Sequence, residues 1–79
     1  MPNEQIRKII AFSVRRYHEN RDIDPGLANA YIAIMNRAVD MQLGAGSISA
    51  MMLFLNRSRT DRDMTKACND VLWHIGTIG

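Results

Sequence analysis

One segment, between Asp24 and Gly44, constrains the fold more than any other part of the chain. Asp24 can cap free helix amides, Pro25 suits the first helical position, and Ile23 can act as a hydrophobic staple. Apolar residues then recur at helical spacing over more than half of the circumference: Leu27, Ala30, Tyr31, Ile32, Ile34, Met35, Ala38, Val39 and Met41. So wide an apolar face must be packed on two sides. We therefore predict a long central second helix that ends near Gln42, before Gly44-Ala45-Gly46.

The first helix is predicted from about Glu4 to Glu19, with Asn3 as its N-cap. One of its faces is apolar and the opposite face is charged, which is typical of a helix at the protein surface. The apolar face consists of Ile6, Ile9, Ile10, Val14 and Tyr17.

Two shorter helices follow. Ser47 is the predicted N-cap of a third helix, from Ile48 to about Asn56, and Thr60 is the predicted N-cap of a fourth, which ends near Gly76. The inward face of the fourth helix is expected to contain Met64, Ala67, Cys68, Val71, Leu72 and Ile75. In the core, Met51, Met52, Leu55, Met64, Cys68 and Leu72 should meet Tyr31, Ile34, Met35 and Ala38. We predict one all-α domain over residues 1–79, a compact four-helix arrangement around the second helix.

Composition excludes several classes of protein. The chain has 79 residues, enough for one core, and with 47% hydrophobic and 23% charged residues it is not of the disordered type. Its longest apolar run, Ala50 to Leu55, is far too short to span a membrane, and the segment MPNEQIRKII lacks the apolar region of a secretory signal. With Cys68 as the lone cysteine, no internal disulfide can form, so a reducing, cytoplasmic location is expected.

No catalytic, metal or cofactor site is predicted. Cys68 lies on the inward face of its helix, where a thiol is usually inert, and a Cys–His dyad would need the fold to bring His18 beside it. His18 and His74 are the only histidines, and no metal-binding spacing occurs. Gly44-Ala45-Gly46 lacks the preceding strand and following lysine of a phosphate-binding loop. We predict that the chain is not an enzyme.

Three aromatic residues, Phe12, Phe54 and Trp73, do not fit the inward faces of their helices, and Leu53 joins Phe54 on a second apolar side of the third helix. One explanation is that neighbouring helices cover them in a small bundle, with Ile78 folded over Trp73. The other is a protein interface, because aromatic residues are enriched at binding hot spots and monomers rarely expose contiguous apolar patches. The candidate interface residues are Phe12, Leu53, Phe54 and Trp73, for a protein partner or a homodimer.

A second candidate site is the basic turn 57–62 together with the fourth helix. Arginine side chains and free helix amides both favour anions, and the third and fourth helices could form a helix-turn-helix. The candidate anion or nucleic-acid contacts are Arg57, Arg59, Arg62 and Lys66. Against this reading, Asp61, Asp63 and Asp70 lie on the same helix and would repel phosphates.

The leading functional hypothesis is a small non-enzymatic interaction protein, a regulator, adaptor or inhibitor that occupies the surface of a partner protein. It rests partly on elimination, because a short chain whose reactive side chains are not arranged for catalysis can act only by binding. Such proteins are common among the accessory genes of phages and plasmids, which is an association and not an inference from these residues. The alternative is a helical nucleic-acid-binding regulator. A contiguous arginine stripe would favour the alternative, and an apolar patch rimmed by charge would favour a protein partner.

Overall fold

The computed structural model describes residues 2–43 and 48–76. These residues form four α-helices and no strand: α1 (Pro2–Asn20), α2 (Pro25–Leu43), α3 (Ile48–Arg57) and α4 (Arg62–His74). The prediction of an all-α, four-helix arrangement is confirmed. The expected helix end at Gly44-Ala45-Gly46, the Ser47 N-cap and the placement of Ile78 lie outside the described residues.

α1 and α2 are joined by a tight connection and make the most extensive helix–helix contact of the described chain. The Asn20 carbonyl accepts hydrogen bonds from the backbone N–H of Ile23, at 3.0 Å, and of Asp24, at 2.7 Å. Asp24 then caps α2 as predicted, because its Oδ1 accepts from the Leu27 amide at 3.2 Å. Ile23 is 82% exposed, so its prediction as a hydrophobic staple is wrong: the turn at Asn20 directs this side chain into solvent.

All four helices contribute to one hydrophobic core, and α2 contacts each of the other three. Most of the predicted core residues are buried: Tyr31, Ile34, Ala38, Met51, Leu55, Cys68 and Leu72. Met52 and Met64 are partly buried against this core. Met35 is only half-buried and lies outside the cluster, because the buried face of α2 is centred on Ile34 and Ala38.

The buried face of α1 is rotated relative to the prediction. Ile6 and Ile9 are buried as expected, but so are Phe12 and Ser13, whereas Val14 is only half-buried. The rotation arises because α1 packs against α4 as well as α2, and the Phe12 ring stacks on His74 of α4. Phe12 is 4% exposed, so a neighbouring helix covers it, as the first explanation has it, and the prediction that it is an interface residue is wrong.

Ser13 is a polar exception in this packing. Its side chain is fully buried, and its hydroxyl has no hydrogen-bond partner. A buried unpaired hydroxyl costs stability because it has lost its bonds to water. We expect Ser13→Ala to raise the free energy of unfolding by about 1 kcal/mol, measured by urea denaturation. Ser49→Ala, at an exposed position of α3, reports helix propensity alone; an equal or larger gain there would contradict the prediction.

α4 begins at Arg62, one residue later than the predicted N-cap, Thr60, implies. Asp61, not Thr60, is the N-cap: its backbone is extended, with φ −140° and ψ 175°, and its Oδ1 accepts from the Met64 amide at 2.7 Å. Both residue types are good caps, and the carboxylate also interacts favourably with the helix dipole. At the other end, Gly76 follows with φ +73°, a left-handed conformation that glycine adopts without strain.

The two neighbouring cap candidates provide a direct test. Asp61→Ala removes the hydrogen bond to the Met64 amide and should lower the free energy of unfolding by about 1 kcal/mol. Thr60→Ala should change it by less than about 0.5 kcal/mol, the usual range for a surface substitution. Urea denaturation of both variants at neutral pH measures the difference. Equal losses in the two variants would show that Thr60 shares the capping role.

Candidate functional site

The four predicted interface residues do not form one surface. Phe12 is buried, and its ring lies 4.1 Å from that of His74 with an interplanar angle of 16°. Leu53 is 49% exposed and Phe54 is half-buried, so these two remain at the surface of α3. Trp73 is 75% exposed on α4. Leu53 and Phe54, which are consecutive in the sequence, line one depression, whereas Phe12 lies in the core.

Leu53 and Phe54 belong to a shallow depression between α2 and α3. It has a volume of about 300 Å³ and is lined by Arg37, Ala50, Leu53, Phe54, Arg57 and Ser58. α3 directs Met51 and Leu55 into the core, and helical spacing then turns Leu53 outward. The Arg37 guanidinium lies 5.5 Å from the centroid of the Phe54 ring, in a cation–π contact. The depression therefore combines apolar side chains with two guanidinium groups.

Trp73 lies on a different face. It is one of four exposed residues on α4 at helical spacing: Arg62, Lys66, Asn69 and Trp73. The buried residues of the same helix, which include Cys68 and Val71, occupy the opposite side. Trp73 does not line the α2–α3 depression.

The predicted anion-contact residues are all exposed, but they too are divided. Arg57 lines the α2–α3 depression, and the Arg59 guanidinium donates to Asn56 Oδ1 at 3.4 Å. Arg62 and Lys66 border a cleft of about 590 Å³ whose other lining residues are Asp24, Asp61 and Asp63. Carboxylates thus lie on one side of these two cations.

A polar junction links α1, α2 and α4, and sequence reasoning did not find it. The Tyr31 hydroxyl donates to Asp70 Oδ2 at 2.7 Å, and Arg16 Nε lies 3.1 Å from the same oxygen. The latter contact is ionic, because the Arg16 Nε–H makes no aligned hydrogen bond. Arg16 also pairs with Glu19 at 3.0 Å. The available sequence signal was Tyr31 on a buried helix face, because a buried tyrosine hydroxyl usually finds a partner.

The buried nucleophilic groups are poorly suited to acid–base or nucleophilic chemistry at neutral pH. Burial, with the hydrogen bond to Asp70, raises the pKa of Tyr31 well above its ordinary value. Burial also raises the pKa of Cys68 to about 11, and the nearby Arg59 does not offset it. The rings of His18 and His74 contact Tyr17 and Phe12. Both the phenol and the thiol are therefore protonated in the folded protein.

Two further findings concern the residues that the structure describes. They contain no group of three or more histidine, cysteine or acidic side chains placed to hold a metal ion. Among their helices, none combines the length and apolar character needed to cross a membrane.

The polar junction predicts a pH-dependent stability. Tyr31→Phe removes the hydrogen bond to Asp70 and should lower the free energy of unfolding at pH 7 by about 1.5 kcal/mol. Because the folded-state pKa of Tyr31 is raised, its contribution is complete below about pH 10, the unfolded value, and declines as the pH rises further.

The difference between wild type and Tyr31→Phe should therefore shrink above about pH 10, as measured by urea denaturation across the alkaline range. Tyr17→Phe removes a hydroxyl from a half-buried tyrosine of α1 and serves as the matched control. A difference for Tyr31→Phe that stays constant across this range would show that the hydroxyl of Tyr31 is not held by Asp70.

Comparison with known proteins assigns the chain to no group. No family model, curated protein or solved structure matches it. Its function must therefore be inferred from the side chains that the fold leaves exposed.

Proposed function

We propose that the chain is a non-enzymatic interaction protein, a regulator, adaptor or inhibitor that binds a partner protein through the α2–α3 depression. The observation that carries this proposal is Leu53, a bulky apolar side chain left 49% exposed in a depression bordered by Arg37 and Arg57. The high pKa values of Tyr31 and Cys68 support a function without catalysis. A cytoplasmic location is part of the proposal, since the lone thiol is buried and forms no disulfide.

The chemistry of the depression defines the partner. Leu53 and Phe54 gain free energy when a partner removes their exposed surface from water, at roughly 25 cal/mol per Å² of apolar area. Arginine side chains recognise carboxylates through paired hydrogen bonds. The expected ligand is a partner segment with a bulky apolar side chain flanked by aspartate or glutamate, in the manner of a helix bound in a groove.

Arg37 is partly preorganised for this role. Its guanidinium already lies over the Phe54 ring at 5.5 Å, so its side chain has lost some conformational freedom before binding. A preorganised group loses less entropy when the complex forms. Arg37 should therefore contribute both to affinity and to the preference for acidic partners.

The same charges disfavour a second copy of the chain as the occupant. A symmetric dimer joined through this depression would bring Arg37 and Arg57 of both copies into one interface. Like charges that face each other across an interface oppose association. The proposal therefore commits to an acidic segment of a different protein.

Selection of peptides from a random displayed library, with the purified chain as target, tests the proposal. We expect enriched peptides that combine a bulky apolar residue with acidic neighbours. Binding of one such peptide, measured by fluorescence anisotropy, should weaken about tenfold or more in Leu53→Ser, the loss expected at a hot spot. Arg37→Glu should also weaken it, because the charge that attracts the carboxylates is reversed.

Ile23→Ser is the matched control, because Ile23 is also a large, exposed apolar residue but lies in the α1–α2 connection. It should leave the affinity unchanged. Selected peptides without an acidic bias, or equal losses in Leu53→Ser and Ile23→Ser, would overturn the proposal. So would a dimer in sedimentation experiments that Leu53→Ser dissociates, because the occupant would then be a second copy.

A further inference from the structure

The exposed face of α4, which we call the outer face, carries four residues: Arg62, Lys66, Asn69 and Trp73. Their spacing of four, three and four residues places them in one line along the helix. At a rise of about 1.5 Å per residue, Arg62 and Lys66 are about 6 Å apart along the axis, and Trp73 lies about 10 Å beyond Lys66. The outer face is therefore a row of cations that leads to an exposed indole ring.

Carboxylates lie beside this face: Asp24, Asp61 and Asp63 line the cleft that Arg62 and Lys66 border, and Asp70 follows Lys66 by about one helical turn. Asp70 accepts the hydrogen bond from Tyr31 and pairs with Arg16, which partly neutralises its charge. Asp63 lies against α2, so close that a Cβ at Gly26 would be 2.5 Å from its Oδ2. The contacts of Asp70 reduce its repulsion of phosphates, whereas the carboxylates in the cleft remain on one side of Arg62 and Lys66.

Asp61, one of these carboxylates, is engaged as the N-cap of α4, where it accepts from the Met64 amide. Arg59, in the turn before the helix, is also exposed, and its guanidinium donates to Asn56 Oδ1. None of Arg59, Arg62 and Lys66 makes an ion pair within the described residues. On the outer face, Arg62 and Lys66 are therefore available to an anionic ligand on the side away from the carboxylates of the cleft.

This arrangement fits one kind of ligand in particular. Single-stranded nucleic acids bind to proteins through cations that follow the backbone and aromatic rings that stack on bases. A base within a duplex has both faces covered by its neighbours, so only an unstacked base can use the indole of Trp73. Asn69, between Lys66 and Trp73, adds an amide that can hydrogen-bond to a base or phosphate.

We infer that the outer face of α4 binds single-stranded nucleic acid, with phosphates on Arg62 and Lys66 and one base stacked on Trp73. The inference is independent of the proposed function, because Leu53, Phe54 and Arg37 take no part in it. Recognition through stacking and phosphate contacts is tolerant of sequence, so the surface selects single strands over duplexes.

The single tryptophan of the chain makes a direct test practical, since its fluorescence reports Trp73 alone. Titration with single-stranded oligothymidylate at low salt should quench this fluorescence. In anisotropy measurements with a labelled oligothymidylate, Trp73→Ala should weaken binding about tenfold, the loss expected for one stacked base. Lys66→Ala should weaken binding and reduce the slope of log affinity against log salt by about 0.7.

Lys8→Ala removes the same charge from an exposed position of α1 and is the matched control for Lys66→Ala. Leu53→Ser should bind the oligonucleotide like the wild type, which separates this inference from the peptide-binding proposal. Absence of quenching at low salt, equal affinity for a duplex of the same length, or equal losses in Lys8→Ala and Lys66→Ala would overturn the inference. Equal quenching by polyglutamate would also overturn it, because the face would then bind any polyanion.

Discussion

The contacts of Asp70 tie α4 to the hairpin of α1 and α2. One carboxylate oxygen accepts the hydrogen bond from Tyr31 on α2 and lies 3.1 Å from Arg16 on α1, so it links α4 to both helices of the hairpin. The ion pair is partly exposed and contributes at most about 1 kcal/mol by itself, but the hydrogen bond to a charged acceptor adds to it. The buried residues of α4, which include Cys68 and Val71, face the core, so Lys66 and Trp73 on the other side of the helix are left to solvent. The proposed nucleic-acid surface is thus the side of α4 that the packing of the helices leaves uncovered.

The same junction explains the burial of Phe12. Its ring stacks on His74, and the Arg16 guanidinium lies 5.0 Å from its centroid, so α1 offers α4 an aromatic as well as a charged contact. The Arg16 guanidinium makes two contacts at once: it pairs with Asp70 and lies over the Phe12 ring. Long side chains of this type cover apolar surface while their charge stays near water. A helix that packs on two neighbours therefore has a wider buried face than its aliphatic residues alone indicate.

α3 accounts for the other surface. It contributes Met51 and Leu55 to the core but is apolar almost all round, so its remaining apolar side chains must lie beside α2 or face solvent. Phe54 is covered in part by Arg37, and Leu53 is not covered to the same extent. The depression on this side is apolar and flanked by arginines, whereas the outer face of α4 is cationic with one aromatic ring. The two surfaces therefore differ in chemistry as well as in position.

The sequence by itself determined the four helices, because apolar spacing and capping act between residues three or four positions apart. Asp24 as the cap of α2 and the burial of Ile34 and Cys68 followed from such local patterns. The sequence placed Leu53 and Trp73 off the inward faces of their helices but left open whether neighbouring helices cover them. Tertiary structure decided how the helices are rotated against one another. It buried Phe12 against His74, joined Tyr31 to an aspartate 39 residues away, and separated Trp73 from Leu53 and Phe54. The spacing of apolar residues within one helix does not predict these contacts, because each contact depends on which other helix packs against that face.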